Sequence, residues 1–437
     1  MKTINVGILG FGVVGAGVAR LLKQKQQLLE ARIGASLHLK TIADLDINTD
    51  RGIAIGDTVL VSDAMTVIHD SDIDIVVELI GGETAAREFT IKALEHKKHV
   101  VTANKALLAG YGNDLVKTAR ENQVDLAFEA SCGGCMPIIK SLRESLVAND
   151  IKAMFAILNG TCNYILTKIS QDGSEFEDAL KKAQELGFAE AEPSLDVDGH
   201  DTAHKLAILN ALSHGMEVNL KDIHVEGIRH ITPVDIEFAR EFGYAIKLLA
   251  IGKRHEGHVE ARVHPTMIPW SNPLSNVDHS MNAISIDADA TGRTMLYGHG
   301  AGMMPTASAV LSDIADIARN IISGAQRRVP ILGYPEENIT PIPILPMADL
   351  FTRYYLRFEA QDHPGALSEI SGILGENNIS IKCVHQKGRQ ANGNVPVVMI
   401  THKAKEQWVQ TALAAIADSD SVVGEPVVIR IEDDEQQ

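Results

Sequence analysis

A glycine-rich turn near the start of the chain restricts its fold more than any other feature of the sequence. Residues 4–9 form a short apolar run typical of a buried strand, and an amphipathic segment begins at Val13. Between them, Gly10, Gly12 and Gly15 fit the pattern G-x-G-x-x-G. In such a unit the first glycine permits a tight turn, the second lets the backbone approach a pyrophosphate, and the third lets helix and strand pack closely. The pattern predicts a nicotinamide dinucleotide site; the alternative is a βα turn without a ligand.

The second predicted strand refines this cofactor site. It ends at Asp44, and a carboxylate there usually binds the ribose hydroxyls of NAD and disfavours the 2′-phosphate of NADP. Lys40 and Arg51 could still receive that phosphate, so the choice between NAD and NADP stays open. The predicted cofactor contacts from this region are Gly10, Phe11, Gly12, Val13, Val14, Gly15 and Asp44.

The order of apolar and amphipathic segments predicts an α/β protein of several domains. Strands alternate with helices over residues 1–145, which indicates βαβ units and a Rossmann-type parallel sheet, and a helix from Pro305 is expected to return to it. Residues 146–304 alternate less regularly and indicate an α+β domain. Five of the fifteen prolines fall within 330–350, which predicts a semi-rigid linker. The βαββαβ order of 351–437 is that of a ferredoxin-like fold. The first domain is expected to comprise residues 1–145 and 305–329.

Composition excludes several classes of protein. The formal net charge of −17 disfavours nucleic acid as a partner, because an acidic surface repels phosphate backbones. Four cysteines in 437 residues do not make a disulfide framework. No apolar run approaches the ~18–20 residues of a membrane span, and the first residues read as a strand rather than a signal peptide. We expect a cytoplasmic protein without a membrane partner.

Two lysines and a group of carboxylates are candidates for chemistry. Lys105 follows a predicted strand end, at the sheet edge where ligands of such folds bind, although a solvated surface lysine is the simpler interpretation. Asp201 and Lys205 lie four residues apart on a predicted helix that follows a carboxylate-rich loop. This pair could be a surface salt bridge worth ~0.3–0.5 kcal/mol. The density of carboxylates instead favours a site that holds an amino group beside a proton-donating lysine.

These segments resemble the homoserine dehydrogenase family. The similarity is carried by Ala183 to Lys205, by Gly-Thr-Cys-Asn-Tyr-Ile-Leu at 160–166, by Asn104-Lys105 and by Gly-His-Gly-Ala-Gly at 298–302. It covers the whole chain, since residues 351–437 resemble an ACT domain, a module that binds amino acids. The resemblance assigns residues 146–304 to substrate binding and dimerisation.

The resemblance implies an activity and a set of residue roles. The enzyme would interconvert L-homoserine and L-aspartate 4-semialdehyde with NAD or NADP as hydride carrier, in threonine, methionine and isoleucine synthesis. Lys205 would be the general acid and base, Asp201 would bind substrate and orient Lys205, and Lys105 would contact both cofactor and substrate. Glu190 would hold the substrate ammonium, with Gly187 close by. Gly302 is a further expected cofactor contact.

Cys132 and Cys135 form a C-x-x-C pair in the loop after the fifth predicted strand, which ends at Glu129. Zinc or redox roles are disfavoured because a zinc site needs four ligands. The family binds a monovalent cation here, which implies Na⁺ or K⁺ held by Glu129 and by the carbonyls of Cys132, Gly134 and Met136. Family members commonly carry valine and glycine where this chain has Cys132 and Cys135, so the conformation at Cys135 is in question. His200 and His204 are expected to be solvated or packing residues rather than metal ligands.

The turn at Asp362-His363-Pro364-Gly365 predicts an effector site in the last domain. Amides at the start of the following helix can bind a carboxylate, and the implied effector is threonine acting by feedback inhibition. ACT domains often pair edge to edge, so a homodimer or homotetramer is expected; a purely structural oligomerisation domain is the alternative. Two other functions stay open: an amino-acid sensor on an inactive dehydrogenase scaffold, and an oxidoreductase for another amino-acid aldehyde.

Overall fold

Six parallel strands form the first sheet of this computed structural model, which describes residues 2–325, 327–386 and 394–433. The strands lie in the order β3-β2-β1-β4-β5-β6, which is the doubly wound order of dinucleotide-binding domains. The predicted Rossmann-type sheet is therefore confirmed. The strands are Thr3–Leu9 (β1), Ser36–Ala43 (β2), Val59–Val61 (β3), Ile75–Glu78 (β4), His99–Thr102 (β5) and Leu126–Ala127 (β6). The helices are Val13–Gln24 (α1), Gln26–Ile33 (α2), Ala64–His69 (α3), Thr84–Glu95 (α4) and Lys105–Glu121 (α5).

The second sheet begins after a short irregular segment that contains the helix Ile138–Lys140 (α6). Its strands are Ile151–Ile157 (β7), His224–Val225 (β8), Tyr244–His255 (β9), His258–Pro269 (β10), Met281–Ala288 (β11) and Gly292–His299 (β12). The helices of this part are Gly160–Asp172 (α7), Phe176–Glu185 (α8), Ser194–Val197 (α9), His200–His214 (α10), Pro233–Glu241 (α11) and Met303–Ser323 (α12). The apolar residues of α12, such as Val310 and Ile314, share a core with Ile4 and Val6 of β1. This helix therefore packs on the first sheet.

The last part of the chain has the predicted βαββαβ order. Its strands are Phe351–Gln361 (β13), Ile381–Gln386 (β14), Asn394–Thr401 (β15), Ala404–Lys405 (β16) and Val427–Ile431 (β17), and its helices are Ala366–Glu376 (α13) and Glu406–Ala417 (α14). The order β17-β13-β15-β14 is that of a ferredoxin-like sheet, so this prediction is also confirmed. The predicted domain 351–437 includes residues 387–393 and 434–437, which lie outside the described residues.

The last strand joins two domains into one sheet. Strand β17 pairs in parallel with β10, through Thr266 opposite Arg430 and Met267 opposite Ile431. The backbone N–H of Glu432 continues this pairing by donating to the Met267 carbonyl at 2.9 Å. The ferredoxin-like domain is thus an extension of the second domain's sheet and is not held by its linker alone.

The proline-rich segment 330–350 is packed along the second domain. Thr340 forms an isolated bridge with Met216, and Ile344 forms one with Val259. Two short 3₁₀ turns, Glu336–Asn338 and Met347–Asp349, interrupt it. Prolines exclude long regular elements here, but single carbonyls still accept hydrogen bonds from neighbouring strands, as Pro343 does from Val259. No helix among the described residues is long and apolar enough to cross a bilayer.

Buried ion pairs line the junction between β10 and β17, which we call the sheet seam. The side chain of Glu432 is 12% exposed and lies 2.7 Å from the Lys253 ammonium, and it also contacts the Arg262 guanidinium. Burial alone would raise the pKa of Glu432, but Arg262 and Lys253 outweigh it and lower that pKa to about 2. The ionised form is therefore strongly favoured in the folded chain.

Glu432→Gln should destabilise the protein in a pH-dependent way. Because the folded-state pKa is depressed, the stabilisation is complete above the ordinary value of 4.5 and is lost as pH falls towards 2. Breaking a buried pair costs on the order of 3 kcal/mol. The difference in unfolding midpoint from wild type should be large at pH 7 and should shrink at pH 3. Glu185→Gln, at an exposed pair with Lys182, is the matched control. An equal difference at both pH values would contradict this account.

Candidate active site

The glycine turn lies between β1 and α1, at the carboxyl edge of the first sheet. Gly10 has φ +99°, in the region that L side chains avoid, and a Cβ on Gly15 would lie 2.1 Å from the Gly10 carbonyl oxygen. A Cβ on Gly12 would meet no atom within 4 Å, so the space above this residue is open. The turn therefore has the geometry that a pyrophosphate needs: a tight loop, a helix start at Val13 and free room at the second glycine.

Asp44 stands directly beside this turn. Its carboxylate accepts hydrogen bonds from the backbone N–H of Phe11 at 2.5 Å and of Asp46 at 2.8 Å. The Arg51 guanidinium lies 3.6 Å from Asp44, and its Nε donates to the Phe11 carbonyl at 2.8 Å. Lys40, the other predicted phosphate ligand, instead forms ion pairs with Asp70 and Asp72. Arg51 is therefore the cation next to the predicted adenosine end of the site.

Asp201 binds two lysines from different domains. Its Oδ2 lies 2.7 Å from the Lys205 ammonium one turn along α10, and its Oδ1 lies 2.7 Å from the Lys105 ammonium at the start of α5. Lys205 also donates to the Leu158 carbonyl at 2.6 Å. The side chains of Asp201 and Lys205 are 4% and 8% exposed, whereas Lys105 is 36% exposed. The i,i+4 pair is therefore a buried pair and not the surface salt bridge weighed above.

The charges of this cluster favour an ionised carboxylate. Burial alone would raise the pKa of Asp201, but the two ammonium groups outweigh it and hold that pKa well below its usual range. Burial likewise opposes the charge on Lys105, yet Asp201 raises the pKa of this ammonium above its ordinary value. The cluster thus presents one carboxylate shared between a nearly buried ammonium donor and a partly exposed one. Such an arrangement can hold a polar substrate group and move a proton.

The structure adds Asn159 to the site and brings in Thr161 and Asp196, which had no individual role in the prediction from sequence. Asn159 donates from one side-chain amide to Asp196 at 2.7 Å and to Asp201 at 2.9 Å. Thr161 donates to the Phe188 carbonyl at 2.5 Å and to Asp196 at 3.3 Å. Burial and the neighbouring Asp201 raise the pKa of Asp196. A signal was available, because Asn159 directly precedes the Gly-Thr-Cys-Asn motif and Asp196 lies in the carboxylate-rich loop.

Gly187 and Glu190 lie on the exposed loop that follows α8. Gly187 has φ +74°, and the Glu190 carbonyl accepts a hydrogen bond from the Gln184 side chain at 3.0 Å. Within the described residues, no hydrogen bond joins either one directly to Asp201 or its lysines. The loop is connected to the cluster through Thr161 and the Phe188 carbonyl. Gly302, the expected cofactor contact, precedes α12 and has φ +118°.

The loop with the predicted cation ligands contacts the backbone of Lys205. The Cys132 thiol lies 3.8 Å from the Lys205 carbonyl, and Glu129 accepts the backbone N–H groups of Ile139 and Lys140 at 2.9 and 2.8 Å. Burial and the neighbouring Asp313 raise the pKa of Glu129 to about 7. Cys135 does not adopt a positive φ, so its Cβ is accommodated without strain.

Clusters of metal-binding side chains are absent from the part of the chain that the structure describes. No group of three or more His, Cys, Asp and Glu side chains there could hold a metal ion. This includes the surroundings of His200 and His204. A cation held by one carboxylate and backbone carbonyls is of another kind, because it does not need such a group.

Comparison with known sequences matches three parts of the chain to described families. Residues 10–129 match the family described as "Homoserine dehydrogenase, NAD binding domain", residues 137–315 match "Homoserine dehydrogenase" and residues 354–418 match "ACT domain". A homoserine dehydrogenase of Neisseria gonorrhoeae is 42% identical over 432 residues, 99% of each chain. One of Bacillus subtilis is 37% identical over 433 residues, again 99% of each.

Solved structures of homoserine dehydrogenases are also similar to this chain. A homoserine dehydrogenase from Thiobacillus denitrificans is 42% identical, covers 99% of both chains and superposes with a TM-score of 0.94. A hyperthermophilic archaeal homoserine dehydrogenase in complex with NADPH is 29% identical and has a TM-score of 0.62. That similarity covers 72% of this chain and 98% of the archaeal one.

Proposed function

The chain belongs to the homoserine dehydrogenase family and is an oxidoreductase, and we propose that it reversibly reduces L-aspartate 4-semialdehyde to L-homoserine with NAD(P)H. The observation that carries the proposal is the Asp201 carboxylate shared by Lys205 and Lys105 near the cofactor edge of the first sheet. Since the proton-transfer groups are all present and in contact, we prefer an active enzyme to an amino-acid sensor on an inactive scaffold.

Each residue of the cluster has a role in this proposal. A bound nicotinamide would supply or accept the hydride. When hydride reaches the aldehyde carbon, the Lys205 ammonium gives a proton to the carbonyl oxygen and yields the alcohol; in reverse, neutral Lys205 removes it. Asp201 orients Lys205 through the 2.7 Å contact between carboxylate and ammonium. Lys105, the more exposed ammonium, reaches both substrate and cofactor.

The substrate's own amino group accounts for the carboxylates around the cluster. We assign Glu190 to the substrate ammonium, with Gly187 leaving room beside it. Asp196, whose carboxylate is held by Asn159 and Thr161, is a second acceptor within the same loop. An uncharged aldehyde would gain nothing from these acids, which favours an amino-acid aldehyde as substrate.

Lys205→Ala should cut homoserine-dependent reduction of NAD⁺ or NADP⁺ by ~100-fold or more, since it removes the proton-transfer group. The Kd for NADPH, measured by fluorescence titration, should stay within about twofold of wild type, because the Lys205 side chain is buried against Asp201. Lys182→Ala, on the exposed face of α8, is the matched control. Near-normal turnover would remove Lys205 from this role, and a wild-type enzyme inactive with both nucleotides would end the proposal.

For nucleotide preference, we propose that both nucleotides are accepted, through different side chains. Asp44 would bind the ribose hydroxyls of NAD, and Arg51 would turn from Asp44 and Asp46 to the 2′-phosphate of NADP. The archaeal structure with NADPH supports the use of a phosphorylated cofactor within the family.

Arg51→Ala should therefore raise the KM for NADP⁺ by ~10-fold or more, as expected for losing a charged hydrogen bond of ~1.5–3 kcal/mol. The KM for NAD⁺ should change far less. Arg51→Lys, which keeps the charge, is the control and should retain part of the NADP⁺ affinity. Because Arg51 also donates to the Phe11 carbonyl, an equal rise in both KM values would indicate a role in the loop instead.

We also propose a monovalent cation, Na⁺ or K⁺, in the loop of Glu129. Two buried carboxylates, Glu129 and Asp313, lie together there, and the Lys140 ammonium, 3.2 Å from Asp313, balances one of them. The carbonyls of Cys132, Gly134 and Met136 are the expected further ligands. A cation would balance the second charge and fix the loop behind Lys205.

We infer that the last domain is regulatory and takes threonine at the turn 362–365. The turn is exposed, and α13 begins directly after Gly365, so that backbone amides of a helix start lie at this turn. Strand β14 forms the outer edge of the described sheet and exposes Val384, which suits edge-to-edge pairing in a homodimer or homotetramer. A cytoplasmic location and a place in threonine, methionine and isoleucine synthesis complete the proposal.

L-Threonine should inhibit homoserine oxidation and raise the unfolding midpoint, because a ligand that binds only the folded state stabilises it. L-Valine is the matched control, being nearly isosteric but lacking the hydroxyl group. Deleting the residues beyond 350 would expose the edge of β10, so ligand titration of the full chain is the cleaner measurement. No response to threonine in either assay would favour the alternative of a purely structural domain.

A further inference from the structure

Across the sheet seam, the last domain contacts a segment that lies against the turn before α10, the helix that carries Asp201 and Lys205. Arg430 lies on β17 and is 1% exposed. Its guanidinium binds Glu406 of its own domain at 2.6 and 2.9 Å. Its third nitrogen crosses the seam and donates to the Glu226 carboxylate of the second domain at 2.7 Å. A buried guanidinium shared in this way fixes both the distance between the two domains and their relative orientation.

Glu226 is also held from its other sides. Its second carboxylate oxygen lies 2.8 Å from His224, and its backbone N–H donates to Val263 on β10 at 2.8 Å. Although burial opposes ionisation, His224 and Arg430 hold the pKa of Glu226 below its usual range. The segment 224–228 is therefore tied to β10 by its backbone and to β17 by a charged side chain.

This segment is the support of the turn that enters α10. Ile228 donates its N–H to the Val197 carbonyl at 2.9 Å. A Cβ on Gly227 would lie 2.3 Å from that same carbonyl oxygen and 2.5 Å from the Asp198 Cα, so the two backbones are in direct contact. On the other side of the turn, the Cβ position of Gly199 lies 3.0 Å from Val225. Any shift of the segment 224–228 must displace the turn 197–199.

The turn 197–199 fixes the start of α10 and thereby the positions of Asp201 and Lys205. Helix α10 begins at His200, so Asp201 lies in its first turn and Lys205 in its second. The Asp201 carboxylate must reach Lys105, which stands on the first domain, at 2.7 Å. Movement of the helix start changes this distance between domains directly.

We propose that Glu226 and Arg430 are positioning residues, through which the last strand of the ACT domain sets the place of Asp201 and Lys205 relative to Lys105. The inference rests on the proposed function and adds a route for regulation. An amino acid bound to the ACT domain alters turnover by shifting β17, and the Arg430–Glu226 pair carries that shift to the turn 197–199.

The test compares Glu226→Gln with Glu432→Gln. Both replace a carboxylate at the seam, but Glu432 contacts Lys253 and Arg262 and not the segment 224–228. Amide hydrogen exchange of residues 197–205 should accelerate about tenfold more in Glu226→Gln than in Glu432→Gln, although both variants remove one carboxylate of an ion pair at the seam. Turnover of homoserine should fall about tenfold in Glu226→Gln, since small misplacements of reacting groups are costly. The KM for the nucleotide should change less than about twofold, and Glu226→Asp should recover part of the turnover.

Two results would overturn the proposal. One is unchanged exchange of residues 197–205 in Glu226→Gln. The other is an equal change of exchange and turnover in both variants, which would show only a general loss of stability. The exchange measurement does not depend on activity. If it changes as expected while the wild type fails to oxidise homoserine, the proposed function is wrong and the positioning role stands.

Discussion

The buried Asp201 carboxylate is the interaction on which the functional part of this molecule depends. An ionised group removed from water costs several kcal/mol unless it is paired and hydrogen-bonded. Asp201 meets this requirement with Lys205 from its own helix, Lys105 from the first domain and the Asn159 amide. Because two of these three partners come from other elements, the carboxylate keeps its charge only when the first and second domains are in place. Assembly of the cluster and correct packing of the domains are thus one requirement.

The sheet seam has the same requirement that buried charges be paired, and it involves more residues. Arg262, Arg430 and Glu406 are buried there, Glu432 is 12% exposed, and each has an oppositely charged partner. Paired buried charges contribute little net stability compared with apolar packing, but leaving one unpaired is costly. They therefore favour a single register of β17 against β10, where backbone hydrogen bonds alone would tolerate a slip. The parallel pairing is short, at two residue pairs, so the side chains supply most of this discrimination.

Local patterns in the sequence were reliable. The glycine turn, the alternation of strands and helices in the first domain and the βαββαβ order of the last are confirmed, because each depends on spacing within a few residues. Boundaries were less reliable: the amphipathic segment that begins at Val13 forms two helices that meet at Lys25. The long hairpin of β9 and β10 was missed altogether. Nearly all its residues from Ala245 to Ile268 are buried on both faces except near the turn, so the alternation that marks a half-exposed strand is absent.

The sequence by itself determined which side chains could take part in chemistry and one contact between them. Asp201 and Lys205 lie four residues apart, and helix geometry alone brings them together. The tertiary structure decided the rest: the contact of Lys105 with Asp201, the bridge from Asn159 to Asp196, and the pairing of β17 with β10. These contacts join residues far apart in the chain, and the backbone groups and buried charges that make them have no periodic signature. Their partners are fixed only when desolvation forces every buried polar group to find one.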